Sequence, residues 1–204
     1  MTTQKQHWEN VFATKQETEV SWFQEYPKTS VEFLELFNIP LTANIIDVGG
    51  GDSHFVDALI SKGFSNIYVL DISANAIEKA KLRLGEKAKN VHWIVSDILD
   101  FVPPVTFDFW HDRAAFHFQT NPKNIDKYVS IATNAIAKNG YLILGTFSEN
   151  GPKKCSGLDI IQYTETSMSA KFEIDFKRIK CITENHTTPF NTIQNFLFCS
   201  FEKI

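Results

Sequence analysis

Asp47-Val48-Gly49-Gly50-Gly51-Asp52-Ser53 follows the apolar run Asn44-Ile45-Ile46 and precedes an amphipathic stretch, Ser53 to Lys62, that Gly63 closes. The run reads as a short buried strand. The stretch places Phe55, Leu59 and Ile60 on one face, so the glycines join a strand to a helix. Glycines let a backbone turn sharply and approach a ligand without Cβ clashes. A dinucleotide site requires Gly-x-Gly-x-x-Gly, because a pyrophosphate rests on the helix N-terminus. Here His54 stands at the third glycine position, and Asp52 would repel an anion there. The Gly-Lys-Ser/Thr of a phosphate loop is absent. The loop instead suits a nucleoside that carries no phosphate, for which acidic neighbours are an asset.

Outward from the loop, strands and helices alternate. Ile67-Tyr68-Val69-Leu70 predicts a second strand, and Ser73 caps a helix that Gly85 ends after Leu84. Val91 to Val95 is a third strand, Phe107 to Trp110 a fourth, and Gly140 to Phe147 a fifth. Asn121-Pro122 opens a helix reaching Ala137 or Lys138. Phe172 to Thr183 and Gln194 to Phe201 predict a hairpin with Pro189 in its loop. Before the first strand, Ser30 to Phe37 forms a helix that Pro40 stops. The fold expected is α/β: a doubly wound, mainly parallel seven-stranded sheet of Rossmann-like form with a C-terminal antiparallel hairpin. Ligands of such sheets bind outside the carboxyl ends of the strands, where the strand order reverses.

Acids stand at those ends. Asp71 closes the second strand about 20 residues past the glycines, the distance at which a carboxylate reaches a ribose. Ser96-Asp97-Ile98 closes the third. Asp47, Gly49, Gly51 and Ser53 match acid-x-Gly-x-Gly-x-Gly/Ser, and here the chain resembles the class I S-adenosylmethionine-dependent methyltransferases. The resemblance covers roughly Asn44 to Phe147. It implies S-adenosyl-L-methionine as cofactor, with S-adenosyl-L-homocysteine as product. It places Asp47, Gly49, Gly50, Gly51 and Ser53 around the donor, Asp71 and Ile72 at the ribose, and Asp97 and Ile98 at the adenine. Trp22 and Tyr26, ahead of Pro27, are expected to lie over the site as a lid, since aromatic faces favour a cation.

Phe107-Asp108-Phe109-Trp110-His111-Asp112-Arg113-Ala114-Ala115-Phe116-His117-Phe118 is the most unusual stretch. Charges here are costly to bury unless paired, so a structural Asp112–Arg113 network and an acceptor pocket are both open readings. The segment is similar to the Asp-Arg-Gly/Ala stretch of thiopurine methyltransferase and its thiol and halide relatives, whose Arg orients the acceptor. That implies catalytic roles for Asp112 and Arg113. Gly151-Pro152 with Tyr163 resembles part of their Gly-Pro-Pro-x-Tyr segment, although Lys153 replaces the second Pro. Lysine methyltransferases of the elongation-factor and citrate-synthase type carry Asp-Lys-Gly at a similar place, where this chain has Asp112-Arg113-Ala114. His111 and His117 are the nearest candidate bases, with His186 more distant. The expected acceptor is a small molecule, a thiol first, with a protein lysine as the alternative.

The bulk properties agree with one ordinary domain. The chain has 204 residues, 43% hydrophobic and 22% charged, with a formal net charge of -4. That charge argues against a nucleic-acid partner. The basic run Lys79, Lys81, Arg83, Lys87 and Lys89 fits the wet face of a helix. No apolar run is long enough to span a bilayer, and Met1 to Asn10 lack a secretory h-region. Cys155, Cys181 and Cys199 show no metal-ligand spacing, so no metal is expected, and a reduced, cytoplasmic setting is the default. The single domain 1–204 is expected to divide into a lid segment, 1–40, a donor-binding core, 41–150, and an acceptor-side helix with hairpin, 151–204. Monomer and homodimer are both open.

Overall fold

The chain, described here over residues 3–204 of a computed structural model, builds nine strands and six α-helices among those residues. In chain order the strands are β1 (Asn44–Val48), β2 (Asn66–Asp71), β3 (Val91–Val95), β4 (Phe107–Arg113), β5 (Ile136–Phe147), β6 (Lys154–Cys155), β7 (Leu158–Asp159), β8 (Phe176–Thr187) and β9 (Ile193–Lys203). The helices are α1 (Gln4–Thr14), α2 (Lys28–Leu36), α3 (Phe55–Ser61), α4 (Ala74–Leu84), α5 (Pro122–Ala135) and α6 (Glu165–Phe172). The main sheet runs β3-β2-β1-β4-β5-β9-β8. Its first five strands are parallel, and β9 lies antiparallel between β5 and β8. This is the doubly wound sheet with a terminal hairpin that the alternation of elements implies. The strand order reverses between β1 and β4, which puts the glycine loop and the end of β4 side by side.

Both faces of the sheet are covered. Tyr128 and Ala132 of α5, with Met168 and Phe172 of α6, pack on Trp110, Leu142 and Leu144. On the other face Phe33 and Leu34 of α2, Phe55 and Leu59 of α3, and Ile77 of α4 pack on Ile45, Val69, Phe109 and Ile143. A third cluster joins Trp8, Val11 and Phe12 of α1 to Val20 and Ala76.

Several boundaries differ from the sequence reading, for local reasons. β4 runs on from Trp110 to Arg113, because Asp112 and Arg113 pair with Leu144 and Gly145 of β5. β5 starts at Ile136 rather than Gly140. Its first pairing, Phe107 with Ile136, is separated by a register shift from the regular ladder that begins at Phe109 and Tyr141. α3 starts at Phe55, since the loop still turns at Ser53, whose hydroxyl accepts from the Phe55 N–H at 3.1 Å. Phe172 ends a helix instead of starting a strand. Thr164 caps that helix by accepting from Ser167 N at 3.1 Å, so β8 begins at Phe176.

Two further expectations change. The sequence reading takes all cysteines as reduced, yet Cys181 and Cys199 face each other across β8 and β9 and form a disulfide, leaving Cys155 free and buried. Spacing along the chain does not reveal cross-strand register. The basic run is not wholly solvated either: Arg83 binds Asp52 and holds Asp57 at 2.8 Å. No helix among the described residues is long and apolar enough to cross a membrane, and no group of His, Cys, Asp or Glu among them could hold a metal.

Candidate active site

Two adjoining cavities open at the carboxyl ends of β1, β2, β3 and β4, and both are lined by Phe12, Trp22, Gly49 and Arg113. The first is lined also by Asp71, Ile72, Asp97, Ile98, Ala114 and Cys155. The second takes in Asp47, Gly50, Gly51, Ser53 and His111. The donor-side residues expected from sequence are therefore gathered here, divided between two compartments.

Close approach explains the glycines. Gly49 has φ +66°, and a Cβ there would meet Ala115 Cβ at 2.6 Å. A Cβ on Gly51 would meet Asp71 Oδ2 at 2.7 Å. Small residues at 49 and 115 thus let the β1 loop touch the β4 loop, a pairing the sequence reading missed. Asp71 is only 7% exposed and its Oδ1 accepts from Ser73 N at 2.8 Å. Burial pushes its carboxyl up to about 7; the Ser73 N–H opposes this, while the Asp47 and Glu9 carboxylates add to it. Asp97 accepts from Leu99 N at 2.9 Å, which fixes its turn at the cavity edge.

The roof is aromatic, but not as expected. Trp22 lines both cavities, whereas Tyr26 is 55% exposed and lines neither. Trp8 and Phe12 of α1 complete the cover, with Trp8 edge-on to Trp22 at 5.6 Å and to Phe118 at 5.3 Å. Glu9 on the same helix accepts from Ala74 N and Asn75 N at 2.9 and 3.0 Å and from the Ser73 hydroxyl at 2.8 Å, holding α1 to the start of α4. Nothing in the periodicity of α1 announces this contact. An acid on one helix that faces Ser73, Ala74 and Asn75 at the start of a later one becomes visible only in three dimensions.

Because β4 continues to Arg113, its side chains alternate between sheet faces. His111 points toward α2 and α3, Arg113 reaches Trp22 and Phe196, and Asp112 points toward α5. His111 Nδ1 lies 2.7 Å from Asp47 Oδ1 and its Nε2 lies 2.8 Å from the Ser30 hydroxyl, so the fold engages both ring nitrogens. Asp112 is fully buried and lines neither cavity. Its Oδ1 accepts from Ala115 N at 2.8 Å and Phe116 N at 3.1 Å, and its Oδ2 from the Tyr128 hydroxyl at 2.6 Å. Burial raises its carboxyl to about 6 against those bonds. The geometry is that of a turn clamp, not of a group reaching a substrate. It does not pair with Arg113 among the described residues.

His117 also lies outside both cavities, and its Nδ1 accepts from Phe147 N at 3.3 Å. Burial, with the Arg113 charge adding, lowers its pKa to about 3. For a base role His111 has no free ring nitrogen, and His117 does not reach either cavity. His186 is tied to the Ser21 carbonyl at 2.8 Å. Tyr163 stacks on Phe116 at 5.2 Å in the core and lines neither cavity.

Arg113 is the one expected catalytic residue that reaches both compartments. Its Nη1 donates to the Trp22 carbonyl at 2.9 Å, and its guanidinium carbon lies 4.7 Å from the Phe196 ring centroid. Nε and Nη2 are buried without a hydrogen-bond partner among the described residues. Burial lowers its pKa to about 10, so it stays a cation.

Comparison with known proteins bears on this architecture. Mouse EEF1A lysine methyltransferase 2 is 28% identical over 161 residues, covering 69% of this chain and 64% of that protein. The human counterpart is 27% identical over 159 residues, covering 69% and 66%. The chain thus spans less than two thirds of the length of these relatives. Among solved structures, the N-methyltransferase NodS from Bradyrhizobium japonicum with S-adenosyl-L-homocysteine superposes with a TM-score of 0.73 at 16% identity, covering 98% of this chain and 97% of that one. A protein solved in work on conversion of a disulfide into a thioacetal during echinomycin biosynthesis gives 0.80 at 13%, covering 98% and 92%. Both share the fold. A family model described as a methyltransferase domain matches residues 42–193, and the chain belongs to that methyltransferase family.

Proposed function

We propose that this protein transfers the methyl group of S-adenosylmethionine to a small-molecule nucleophile, with a thiol as the first choice. The observation that carries the reading is the first cavity: acids at the ends of β2 and β3 under a roof of Trp8, Phe12 and Trp22. The residues present fit the donor. Asp71 would accept from the vicinal ribose hydroxyls, Asp97 from the adenine amino group, and the Ile98 N–H would meet a ring nitrogen, with Ile72 and Ile98 as apolar walls of the same cavity. When bound, the donor supplies a methyl carbon already activated by a sulfonium. The protein's part is alignment and exclusion of water. Trp8, Phe12, Trp22 and Phe118 exclude water, and Ala114 and Cys155 leave a neutral wall by which the acceptor enters. We infer one domain in which α1 serves as the lid.

The thiol choice rests on the histidines. With His111 held at both nitrogens and His117 outside the cavities, a nucleophile that forms without a strong base is favoured, as a low-pKa thiol is. Burial pushes the Cys155 thiol up to about 12, which keeps it an uncharged wall and not a competing nucleophile. Isothermal titration tests the donor: S-adenosylhomocysteine should bind and NAD should not, and the reverse would overturn the reading.

A second reading, methylation of a protein lysine, is favoured by the 27–28% identity to EEF1A lysine methyltransferase 2. Labelled donor offered with a thiol panel and with a cell lysate separates the two. Label in a protein band would reject the small-molecule choice.

A further inference from the structure

Residues 15–27 join α1 to α2 and carry no regular structure beyond the short turn Glu17–Glu19. They form a strap over the second cavity, which Gln16, Glu17, Val20, Trp22, Phe23 and Gln24 all line. One edge of the strap is held from the strands. Arg113 Nη1 of β4 donates to the Trp22 carbonyl at 2.9 Å, His186 Nε2 of β8 to the Ser21 carbonyl at 2.8 Å, and Gln194 Nε2 of β9 to the Ser21 hydroxyl at 3.1 Å. The other edge rests on His54, just before α3. Its Nδ1 lies 3.0 Å from the Glu25 carbonyl, its Nε2 3.2 Å from Glu17 Oε2, and its ring stands edge-on to Phe23 at 5.5 Å. One side chain thus touches the strap from Glu17 to Glu25.

Both hydrogen-bond partners of the His54 ring are acceptors. A carbonyl and a carboxylate have no hydrogen to give, and a neutral imidazole has a single N–H. Both bonds form together only when the ring carries two N–H groups and a positive charge. His186 differs, because its one strap contact needs one N–H and so holds in either charge state. The charges around His54 leave Glu17 as its partner. Asp57 of α3 and Asp52 of the glycine loop are both bound by Arg83 of α4. Lys79 of α4 donates to the Lys15 carbonyl. Across the cavity His111 engages Asp47, and Arg113 holds the Trp22 carbonyl. The α3 N-terminus opposes a positive charge beside it, and the Glu17 carboxylate favours one. The Glu17 side chain is 42% exposed, so protons reach the pair.

We propose that doubly protonated His54 is a positioning residue that latches this strap, and Trp22 with it, over the bound ligand, and that loss of one proton frees the edge and speeds exchange. The choice of ligand rests on the donor reading above. On deprotonation one ring nitrogen turns a lone pair toward the Glu25 carbonyl or the Glu17 carboxylate, and that contact changes from attraction to repulsion. The edge at Ser21 and Trp22 keeps its three bonds and serves as the hinge. Because Trp22 lines both cavities, movement of the strap opens both.

Release of S-adenosylhomocysteine, followed by stopped-flow tryptophan fluorescence from about pH 5.5 to 8.5, tests the latch across the range in which an imidazole loses its proton. The wild-type rate should rise about two- to fivefold with pH, as a half-exposed charged contact is lost. Glu17→Gln separates the latch from ordinary packing, because its amide can donate to a neutral ring nitrogen as well as accept from a charged ring. It should keep the slow, low-pH rate throughout. His54→Phe should release fast at every pH. Asp71 titrates in the adjoining cavity of wild type and Glu17→Gln alike, so the difference between their profiles reports His54. A wild-type rate that does not rise with pH would overturn the latch, as would a rise of the same size in Glu17→Gln. Neither result needs the His54 variant to fold. A wild-type protein that binds no S-adenosylhomocysteine would overturn the donor reading instead. Acrylamide quenching of the tryptophans in the unliganded protein then tests the latch alone: quenching should increase with pH in wild type and not in Glu17→Gln, and equal pH profiles would overturn it.

Discussion

The Tyr128 hydroxyl donates to Asp112 Oδ2 at 2.6 Å, while the other oxygen of that carboxylate holds the turn at Ala115 and Phe116. A charged residue from the most unusual stretch of the chain is thus consumed in securing the end of β4. Ala114 in that turn has φ 71°, a left-handed conformation that needs such support. Tyr128→Phe should cost about 1–3 kcal/mol of stability by leaving a buried acceptor short of a donor. Donor affinity of the folded protein should not change. Thermal melting with S-adenosylhomocysteine titration checks both. A variant that melts normally but cannot turn over would place Asp112 in the chemistry instead.

Donor binding should depend on pH through Asp71. Its carboxyl sits at about 7 in the free protein, raised first by burial. The ionised form accepts both ribose hydroxyls, so affinity should fall as pH drops below 7, by up to about tenfold per unit. Titrations of S-adenosylhomocysteine between pH 6 and 8 measure this. Asp71→Asn should remove the dependence and weaken binding by about 1–3 kcal/mol. A flat wild-type profile would contradict the ribose assignment.

Stability should show the sign of His117. Its folded pKa, about 3, lies below its ordinary 6.5. Its contribution is therefore complete above pH 6.5 and is lost as pH falls toward 3. Asp71 and Asp112 act the other way: with folded values raised to about 7 and about 6, they favour the fold at low pH and lose that contribution as pH rises from 3.8 through those values. Comparing the melting temperature of wild type and His117→Gln across pH 4 to 8 isolates the histidine. The variant should lose less stability on acidification, and parallel curves would refute the assignment.

Glu9 should govern the lid. Its carboxylate satisfies the first N–H groups of α4 and carries Trp8 and Phe12 over the cavity on its own helix. Loss of a capping acceptor costs about 1 kcal/mol, so Glu9→Ala should release S-adenosylhomocysteine about fivefold faster. Stopped-flow tryptophan fluorescence follows this directly. An unchanged release rate would mean that α1 does not have to lift for exchange.

The sequence by itself determined the layered fold and the set of glycines and acids that line the two cavities at the strand ends. Alternating apolar segments, the glycine loop and the acids at the ends of β2 and β3 are local signals, because strand length, turn chemistry and a charge at a strand end are written in consecutive residues. The tertiary structure decided the rest. Whether His111, Asp112 and Arg113 act together depended on where β4 stopped, and hydrogen bonding to β5 carried the strand three residues further. Alternation then sent Asp112 to Tyr128 and left His111 and Arg113 on the opposite face. The pairing of Cys181 with Cys199, of Glu9 with the start of α4, and of Gly49 with Ala115 each joins residues distant in the chain. Such contacts are set by cross-strand register and helix packing, so no spacing rule within the chain encodes them. The glycine loop pointed to a nucleoside that carries no phosphate. Only the folded site shows that Asp47 Oδ2 and the Nε and Nη2 of Arg113 are buried without a hydrogen-bond partner among the described residues.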